Sequence, residues 1–217
     1  MSEVVIVRHG QAQTGAKDEA SYDRLSDLGH QQAAWLGEHF RAESPFDRIV
    51  HGTMRRQIET ATSLGMTGVP MTADDRLNEL DYFSMAAVLR DMHDVAFPTE
   101  KSEFDGHVVQ VLEYWAADNL GADVESYAAF CDRIKAAIVD AADHAGRTLI
   151  VSSTGVIATL AAMALGLDAA RKSKLFLRVM HTSVHKFEVA GDEIVLSQFC
   201  ATPHMDRADR EGFKTFV

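Results

Sequence analysis

A run of four β-branched residues, Val4 to Val7, leads directly into Arg8-His9-Gly10 and constrains the fold more than any other segment. Such a run, bounded by a break, predicts a strand buried on both faces, which is typical of a parallel α/β sheet. Ligands bind such sheets beyond the carboxyl ends of the strands, and a glycine there lets the backbone approach them closely. We therefore interpret His9 as a candidate nucleophile and Arg8 as its charge clamp, although an ordinary polar strand end would show the same local pattern.

The segments that follow alternate between helical and strand periodicity. Helices are predicted over 28–42, 53–64 and 156–165, and strands over 46–50, 69–72 and 149–151. Ser26 or Asp27 can cap the first helix, residues 11–27 otherwise predict a long loop, and residues 183–199 predict a closing antiparallel hairpin. This order predicts a three-layer α/β sandwich with a central, mostly parallel sheet and helices on both faces.

Residues 84–145 interrupt this alternation with a mainly helical pattern that breaks near 97–98 and 121. The segment predicts a helical insertion over the pocket, and the apolar stripe of residues 124–145 is interpreted as core. Because no Pro/Gly/Ser-rich linker divides the 217 residues, we expect one domain over 1–217.

The charge balance limits the class of ligand. Lys and Arg total 21 against 32 Asp and Glu, so the formal net charge is -11, which argues against a nucleic-acid partner and favours a small phosphorylated substrate. Cys131 and Cys200 are too few for a disulfide framework. With no secretory leader and no apolar stretch of the ~18 residues that a membrane span requires, we expect a cytoplasmic protein without membrane contact. The oligomeric state stays open, a homo-oligomer included.

Four strand ends carry polar residues in a characteristic order: Arg8 to Gln11, His51 to Ala61, Arg76 to Leu80, and Val151 to Gly155. The set contains Arg-His-Gly, then Arg-x-x-x-Thr-Ala, then Leu-x-Glu before the helical insertion. In this order and at these separations it resembles the histidine phosphatase superfamily, the phosphoglycerate-mutase-like group, over essentially the whole chain. The resemblance implies hydrolysis of a small phosphomonoester, or less readily a mutase, on the phosphoglycerate-mutase-like fold.

By that resemblance His9 is phosphorylated during turnover. The attacking ring nitrogen must be unprotonated, so the other nitrogen should donate its proton to a fixed acceptor such as a backbone carbonyl. Arg8 and Arg56 would hold the phosphate oxygens with planar, permanently charged guanidinium groups. Counting back from Thr60-Ala61 selects Arg56, and we expect Arg55 to face solvent or a carboxylate. Because the arginines can supply the charge, no metal or other cofactor is predicted.

Glu79 matches the family's acid/base position, which requires a pKa raised by burial, and Asp81 competes for the role. The resemblance makes Gln11, Ser153 and Thr154 auxiliary phosphate contacts. The chain departs from the family at Ser153, where a histidine of the phosphate pocket usually stands. The loss of that donor should cost on the order of 2 to 4 kcal/mol of transition-state stabilisation.

Two further interpretations follow from this departure. Another histidine can fill the gap, and the candidates are His51, His181, His185 and His204, of which His204 resembles a C-terminal histidine of some relatives. Alternatively, the protein binds a phosphorylated ligand with weak or no turnover. A serine hydrolase centred on Ser153 is disfavoured, because Val151 replaces the first glycine of the Gly-x-Ser-x-Gly motif and Arg8-His9 would have no use.

Overall fold

The structure is a computed structural model that describes residues 1–13 and 19–216, without the side chains of Glu19 and Lys101. Within these residues six strands form one sheet in the order β3-β2-β4-β1-β5-β6. The strands are β1 (Ser2–Arg8), β2 (Arg48–His51), β3 (Met71–Ala73), β4 (Thr148–Ser152), β5 (Val184–Ala190) and β6 (Glu193–Ala201). β1 to β4 run parallel, whereas β5 and β6 are antiparallel, which confirms the mostly parallel sheet and its closing hairpin.

Helices cover both faces of this sheet. They are α1 (Glu19–Tyr22), α2 (Asp27–Arg41), α3 (Arg55–Ser63), α4 (Tyr82–His93), α5 (Lys101–Ala116), α6 (Tyr127–Asp143), α7 (Thr154–Leu165) and α8 (Ala169–Phe176), with 3-10 turns at Asp75–Leu77 and Glu211–Phe213. Val5 and Val7 of β1 pack toward α2 and α3, whereas Val4 and Ile6 pack toward the larger core beneath the other helices. The three-layer α/β fold predicted from the sequence is therefore confirmed.

Local sequence signals set the helix ends. Ser26 caps α2 by accepting a hydrogen bond from the Gly29 N–H at 3.1 Å, and α7 ends at Gly166, whose φ of 63° suits a glycine. The long loop predicted over 11–27 is interrupted by α1 at 19–22, and residues 14–18 of that loop lie outside the described residues. α8 lies in a segment for which no element is predicted from the sequence, and it contains four consecutive polar residues, Arg171 to Lys174.

The predicted helical insertion divides in two. α4, α5 and the segment between them supply cavity-lining residues, as described below. α6 instead packs on β1, β5 and α7, with Ile134 and Ile138 fully buried in the core. Only the first part of 84–145 covers the pocket, since α6 carries its apolar stripe toward the sheet. None of the described helices is both long and apolar enough to cross a membrane.

The topology brings the polar strand ends together. In the parallel register Arg8 of β1 lies beside Ser152 of β4, and His51 of β2 lies beside Val151. Because parallel strands end at the same edge of a sheet, the segments that follow β1, β2 and β4 meet there. That edge is where the functional site lies.

Candidate active site

His9 is the first residue after β1 and is almost fully buried. Its Nδ1 lies 2.7 Å from the carbonyl oxygen of Gly10, so Nδ1–H donates to that oxygen and Nε2 keeps a free lone pair. Burial, and then the charges of Arg56 and Arg8, lower the pKa of His9 well below its usual value. The ring is therefore neutral and nucleophilic near pH 7.

The backbone around Gly10 allows no side chain at that position. A Cβ there would lie 2.4 Å from the carbonyl oxygen of Gly29 in α2, well inside van der Waals contact. The Gly10 N–H donates to Thr60 Oγ1 at 3.0 Å, which ties the end of β1 to the Thr-Ala motif of α3. The two motifs that the sequence separates by fifty residues are thus hydrogen-bonded to each other.

Two guanidinium groups enter the same cavity. Arg8 and Arg56 are each 1% exposed. Arg8 donates from Nη1 to the carbonyl oxygen of Val179, while its buried Nε has no hydrogen-bond partner among the described residues. Arg56 donates from Nη1 to Asp23 Oδ1 at 3.0 Å and lies over the ring of Tyr22. Both arginines are therefore held by neighbouring groups and line the cavity.

Arg55, next to Arg56 in the sequence, points away from the cavity. Its side chain is 64% exposed and pairs with Glu59 at 2.6 Å, as the spacing of the motif predicts. The N–H groups of Arg55 and Arg56 donate to the carboxylate of Asp23, which thereby caps α3. Asp23 is a residue that sequence reasoning missed, because no motif marks an aspartate thirty-three positions before its partner.

Glu79 follows the 3-10 turn and is placed by the N-terminus of α7. Both of its carboxylate oxygens lie 2.9 Å from the Gly155 N–H, and Oε1 also accepts from the Leu80 N–H at 3.0 Å. Burial raises the pKa of Glu79, while the Gly155 hydrogen bond and the charge of Arg56 oppose the rise. The competing carboxylate, Asp81, does not line the cavity and instead caps α4 by accepting from the Ser84 N–H at 3.0 Å.

The three auxiliary positions differ. Gln11 and Thr154 both line the cavity, and the Oγ1 of Thr154 is buried without a hydrogen-bond partner among the described residues. Ser153, the third predicted phosphate contact, is not among the residues that line the cavity. The Ser153 hydroxyl is fully buried and accepts from Gln57 Nε2 at 2.8 Å, which holds it against α3.

The four candidate histidines are buried, but only His181 lines the cavity. His51 bonds a backbone carbonyl, and His185 and His204 bond a serine and a threonine hydroxyl. Burial lowers the pKa of His185 and of His204 to about 3. His204, the candidate suggested by the resemblance, is therefore part of the packing around Thr182 and lies outside the cavity wall.

The cavity has a volume of about 800 Å³ and two chemically different parts. Arg8, His9, Arg56, Glu79, Thr154 and His181 form the polar end. The remaining wall is mainly aromatic and apolar, with the residues Tyr22, Leu80, Tyr82, Phe83, Phe97, Pro98, Phe104, Val108, Phe176 and Phe216. Sequence reasoning missed this wall because its members come from α1, α4, α5, α8, the segments next to α4 and the C-terminal segment, and no short motif joins them.

A neutral buried imidazole flanked by two guanidinium groups, in one cavity with a carboxyl group of raised pKa, is a site built for phosphoryl transfer. No group of three or more His, Cys, Asp or Glu side chains in the described ranges is arranged to hold a metal ion. The chain belongs to the histidine phosphatase superfamily (branch 1), whose family model matches residues 4–202.

Curated and solved relatives agree with this membership. A glucosyl-3-phosphoglycerate phosphatase of Mycolicibacterium vanbaalenii is 38% identical over 80 residues, a match that spans 35% of each chain. YhfR of Bacillus stearothermophilus has a TM-score of 0.69 at 22% identity, with 94% of this chain and 99% of the other covered. A phosphoserine phosphatase of Entamoeba histolytica, solved with phosphoserine, has a TM-score of 0.67 at 17% identity, with 94% and 100% covered. At these identities the solved structures establish the shared fold.

Proposed function

We propose that this protein hydrolyses a small phosphomonoester through a phosphohistidine formed on His9. One observation carries the proposal: buried donors without partners among the described residues, Arg8 Nε and Thr154 Oγ1, share a cavity with the free Nε2 of a neutral histidine. Buried polar groups are nearly always satisfied in proteins, so unpaired donors that line one cavity with a nucleophile suit an anionic ligand. A phosphate monoester supplies the acceptor oxygens.

In the first step His9 Nε2 forms a bond to phosphorus as the bond from phosphorus to the ester oxygen breaks. Charge accumulates on the three non-bridging oxygens, where Arg8 and Arg56 stabilise it with charge-assisted hydrogen bonds. The leaving oxygen takes a proton from Glu79, whose pKa is raised by burial, as a general acid requires. The alcohol then departs and Glu79 is left ionised.

In the second step a water molecule attacks the phosphohistidine. Glu79 accepts a proton from that water as the new bond to phosphorus forms, and the N–P bond breaks with its electron pair returning to Nε2. Inorganic phosphate leaves, and both His9 and Glu79 regain their starting protonation states. The hydrogen bond from Nδ1 to the Gly10 carbonyl oxygen keeps the ring in one tautomer throughout.

The residues that line the cavity favour a phosphomonoester whose leaving alcohol is apolar or aromatic. Beyond the phosphate end the lining is mainly aromatic, and Glu100 adds a negative charge there. Among the described side chains that line the cavity, Arg8 and Arg56 are the lysine or arginine cations, and the phosphate engages both. A second anionic group on the substrate, such as the carboxylate of the phosphoglycerate moiety that the curated relative's name includes, would find no further cation of this kind. We therefore propose aryl or long alkyl phosphates before phosphoglycerates.

The test compares wild type with His9→Ala and with His144→Ala, a matched control whose histidine is exposed and lies outside the cavity. We expect wild type and the control to release phosphate from aryl phosphates, and His9→Ala to release none. Mass spectrometry after rapid quenching in alkali should place one phosphoryl group on His9, and acid should remove it. Equal rates for His9→Ala and wild type would contradict the proposed mechanism.

A second candidate function is binding of a phosphorylated ligand without useful turnover, favoured by the serine at position 153. It predicts saturable binding of an aryl phosphate with no phosphohistidine and no phosphate release. The same quench experiment separates the two, because the enzyme must show the adduct on His9 and the binding protein must not.

The cellular setting belongs to the same proposal. We place the protein in the cytoplasm as a single domain over 1–217, and its two free cysteines, Cys131 and Cys200, are typical of that compartment. The net charge of -11 supports a small molecule as the ligand and argues against nucleic acid. Fractionation and gel filtration test the compartment and whether the chain forms a homo-oligomer.

A further inference from the structure

His181 lies on the cavity wall beside the nucleophile, in the segment between α8 and β5. Its ring centroid is 5.7 Å from that of His9, and the residue is 4% exposed. The Thr182 N–H fixes this segment by donating to the carbonyl oxygens of Arg8, at 3.2 Å, and His9, at 3.3 Å. Thr182 has a φ of 55°, a left-handed conformation that is an outlier for a β-branched residue. Backbone strain of this kind clusters at functional sites.

The hydrogen bonds around His181 set the position of its ring proton. The Gln11 N–H donates to Gln32 Oε1 at 3.0 Å, which orients the amide so that Gln32 Nε2 donates to Thr215 Oγ1 at 2.9 Å. That hydroxyl lies 3.0 Å from His181 Nδ1. The Thr215 hydroxyl accepts from Gln32 and carries a hydrogen of its own, and we assign that hydrogen to Nδ1. The proton of the neutral ring then resides on Nε2.

His181 Nε2 is buried and has no hydrogen-bond partner among the described residues. Burial, and then the charge of Arg8, lower the pKa of His181 well below its usual value, which keeps the ring neutral near pH 7. A neutral imidazole N–H is still a good donor, and an anion next to it would favour a second ring proton. The N–H group of His181 is therefore suited to hydrogen-bond a phosphate oxygen, and an apolar ligand would leave it unpaired.

We propose that His181 Nε2–H donates to a non-bridging oxygen of the transferred phosphoryl group. His181 thereby takes the role that a histidine at the position of Ser153 has in the family this chain resembles, from a different segment of the fold. The inference rests on the proposed phosphatase function, since it assigns one more contact to the same phosphoryl group. It explains how a chain with Ser153 turned toward Gln57 retains a third donor beside Arg8 and Arg56.

The experiment measures inhibition by vanadate, a probe that adopts the five-coordinate geometry of phosphoryl transfer, in wild type, His181→Leu and His181→Gln. We expect His181→Leu to weaken vanadate binding and to lower kcat by about 100-fold, as for the loss of one oxyanion donor. His181→Gln places an amide N–H near the former Nε2 and should recover most of both losses. Equal vanadate affinity in His181→Leu and wild type would overturn the inference.

His185→Leu is the matched control, because His185 is equally buried and bonds Ser183 and Cys200 away from the cavity. It should lower the melting temperature and leave vanadate affinity unchanged. His181→Leu should weaken vanadate binding whatever its melting temperature, since it removes the unpaired Nε2 donor together with the hydrogen bond between Nδ1 and Thr215. If both variants weaken vanadate equally, the effect is a general one and the inference is wrong.

A spectroscopic measurement covers the case in which His181→Leu does not fold. Wild type labelled with ¹⁵N-histidine should gain a slowly exchanging imidazole N–H signal on addition of vanadate, and this signal should be missing from His181→Gln. A signal that persists in His181→Gln would overturn the inference. If wild type neither binds vanadate nor hydrolyses any ester, the proposed function itself fails. If it does both while His181→Leu matches it, only the role of His181 fails.

Discussion

Gly155→Ala should misplace the carboxylate of Glu79 while leaving the glutamate itself unsubstituted. A Cβ at position 155 would lie 2.1 Å from Glu79 Oε1, whereas ordinary contact begins near 3.4 Å, so the carboxylate must move by 3.4 minus 2.1, or 1.3 Å. It cannot move by a simple swing, because Leu80 Cδ2 would be 2.8 Å from the same Cβ. A misplacement of about 1 Å costs on the order of 100-fold in rate, and we expect that loss with alkyl phosphates.

The assay separates the two uses of Glu79. An aryl phosphate whose phenolate leaves without a proton needs no general acid in the first step, so phosphorylation of His9 should remain fast in Gly155→Ala. The second step still needs a base, so phosphohistidine should accumulate. We expect a burst of phenol close to one equivalent per enzyme, followed by a slow steady state, and no burst with an alkyl ester.

Gly106→Ala is the control, since Gly106 is exposed within α5 and a Cβ there meets nothing within 4 Å. Its activity should match wild type, and replacing glycine in a helix interior should add roughly 0.5 to 1 kcal/mol of stability. Wild-type rates with alkyl phosphates in Gly155→Ala would refute both the placement of Glu79 by α7 and its role as acid.

The remaining predictions concern stability and the arginine clamp. Acidification should destabilise the protein from about pH 6.5 downward, because the unfolded chain binds protons on His9, His181, His185 and His204, whose pKa values are lowered in the folded protein. Each of these histidines should lower the free energy of unfolding by roughly 1 kcal/mol between pH 7 and 5.5, whereas Glu79, with its raised pKa, opposes the trend. Urea titrations at several pH values measure the free energy of unfolding, and a value that does not change with pH would contradict the prediction. Asp23→Asn should lower kcat/KM by about tenfold through looser positioning of Arg56, while unchanged steady-state kinetics would show that the ion pair is dispensable. Gly10→Ala should cost ~2 kcal/mol by overpacking against Gly29, and an unshifted denaturation midpoint would show that the backbone relaxes freely.

The candidate site residues that follow the strands could be predicted from the sequence, because a parallel topology brings distant motifs to one edge of the sheet. The β-branched run located β1, the three-residue gap before Thr60-Ala61 selected Arg56 over Arg55, and Leu-x-Glu located Glu79. In each case the local pattern also determines the direction of the side chain. The motif arginine and the glutamate therefore reach the cavity, as the order of the elements implied.

Contacts between segments without motifs could not be predicted. Ser153 turns toward Gln57 because a buried amide ninety-six positions earlier needs an acceptor, and sequence spacing carries no record of that need. His181 reaches the cavity through backbone bonds from Thr182 and a hydroxyl near the C-terminal end, Thr215. Such positions depend on tertiary packing, and only the structure distinguishes His181 from the other buried histidines.

The hydrogen bond between Ser153 and Gln57 couples two distant positions of the chain. The Gln57 amide also donates to the Leu77 carbonyl oxygen and accepts from the Met54 N–H, so three segments hold its orientation together with Ser153. A residue at position 153 without a hydroxyl would remove an acceptor from this buried amide, and the effect of any replacement there therefore depends on the residue at position 57.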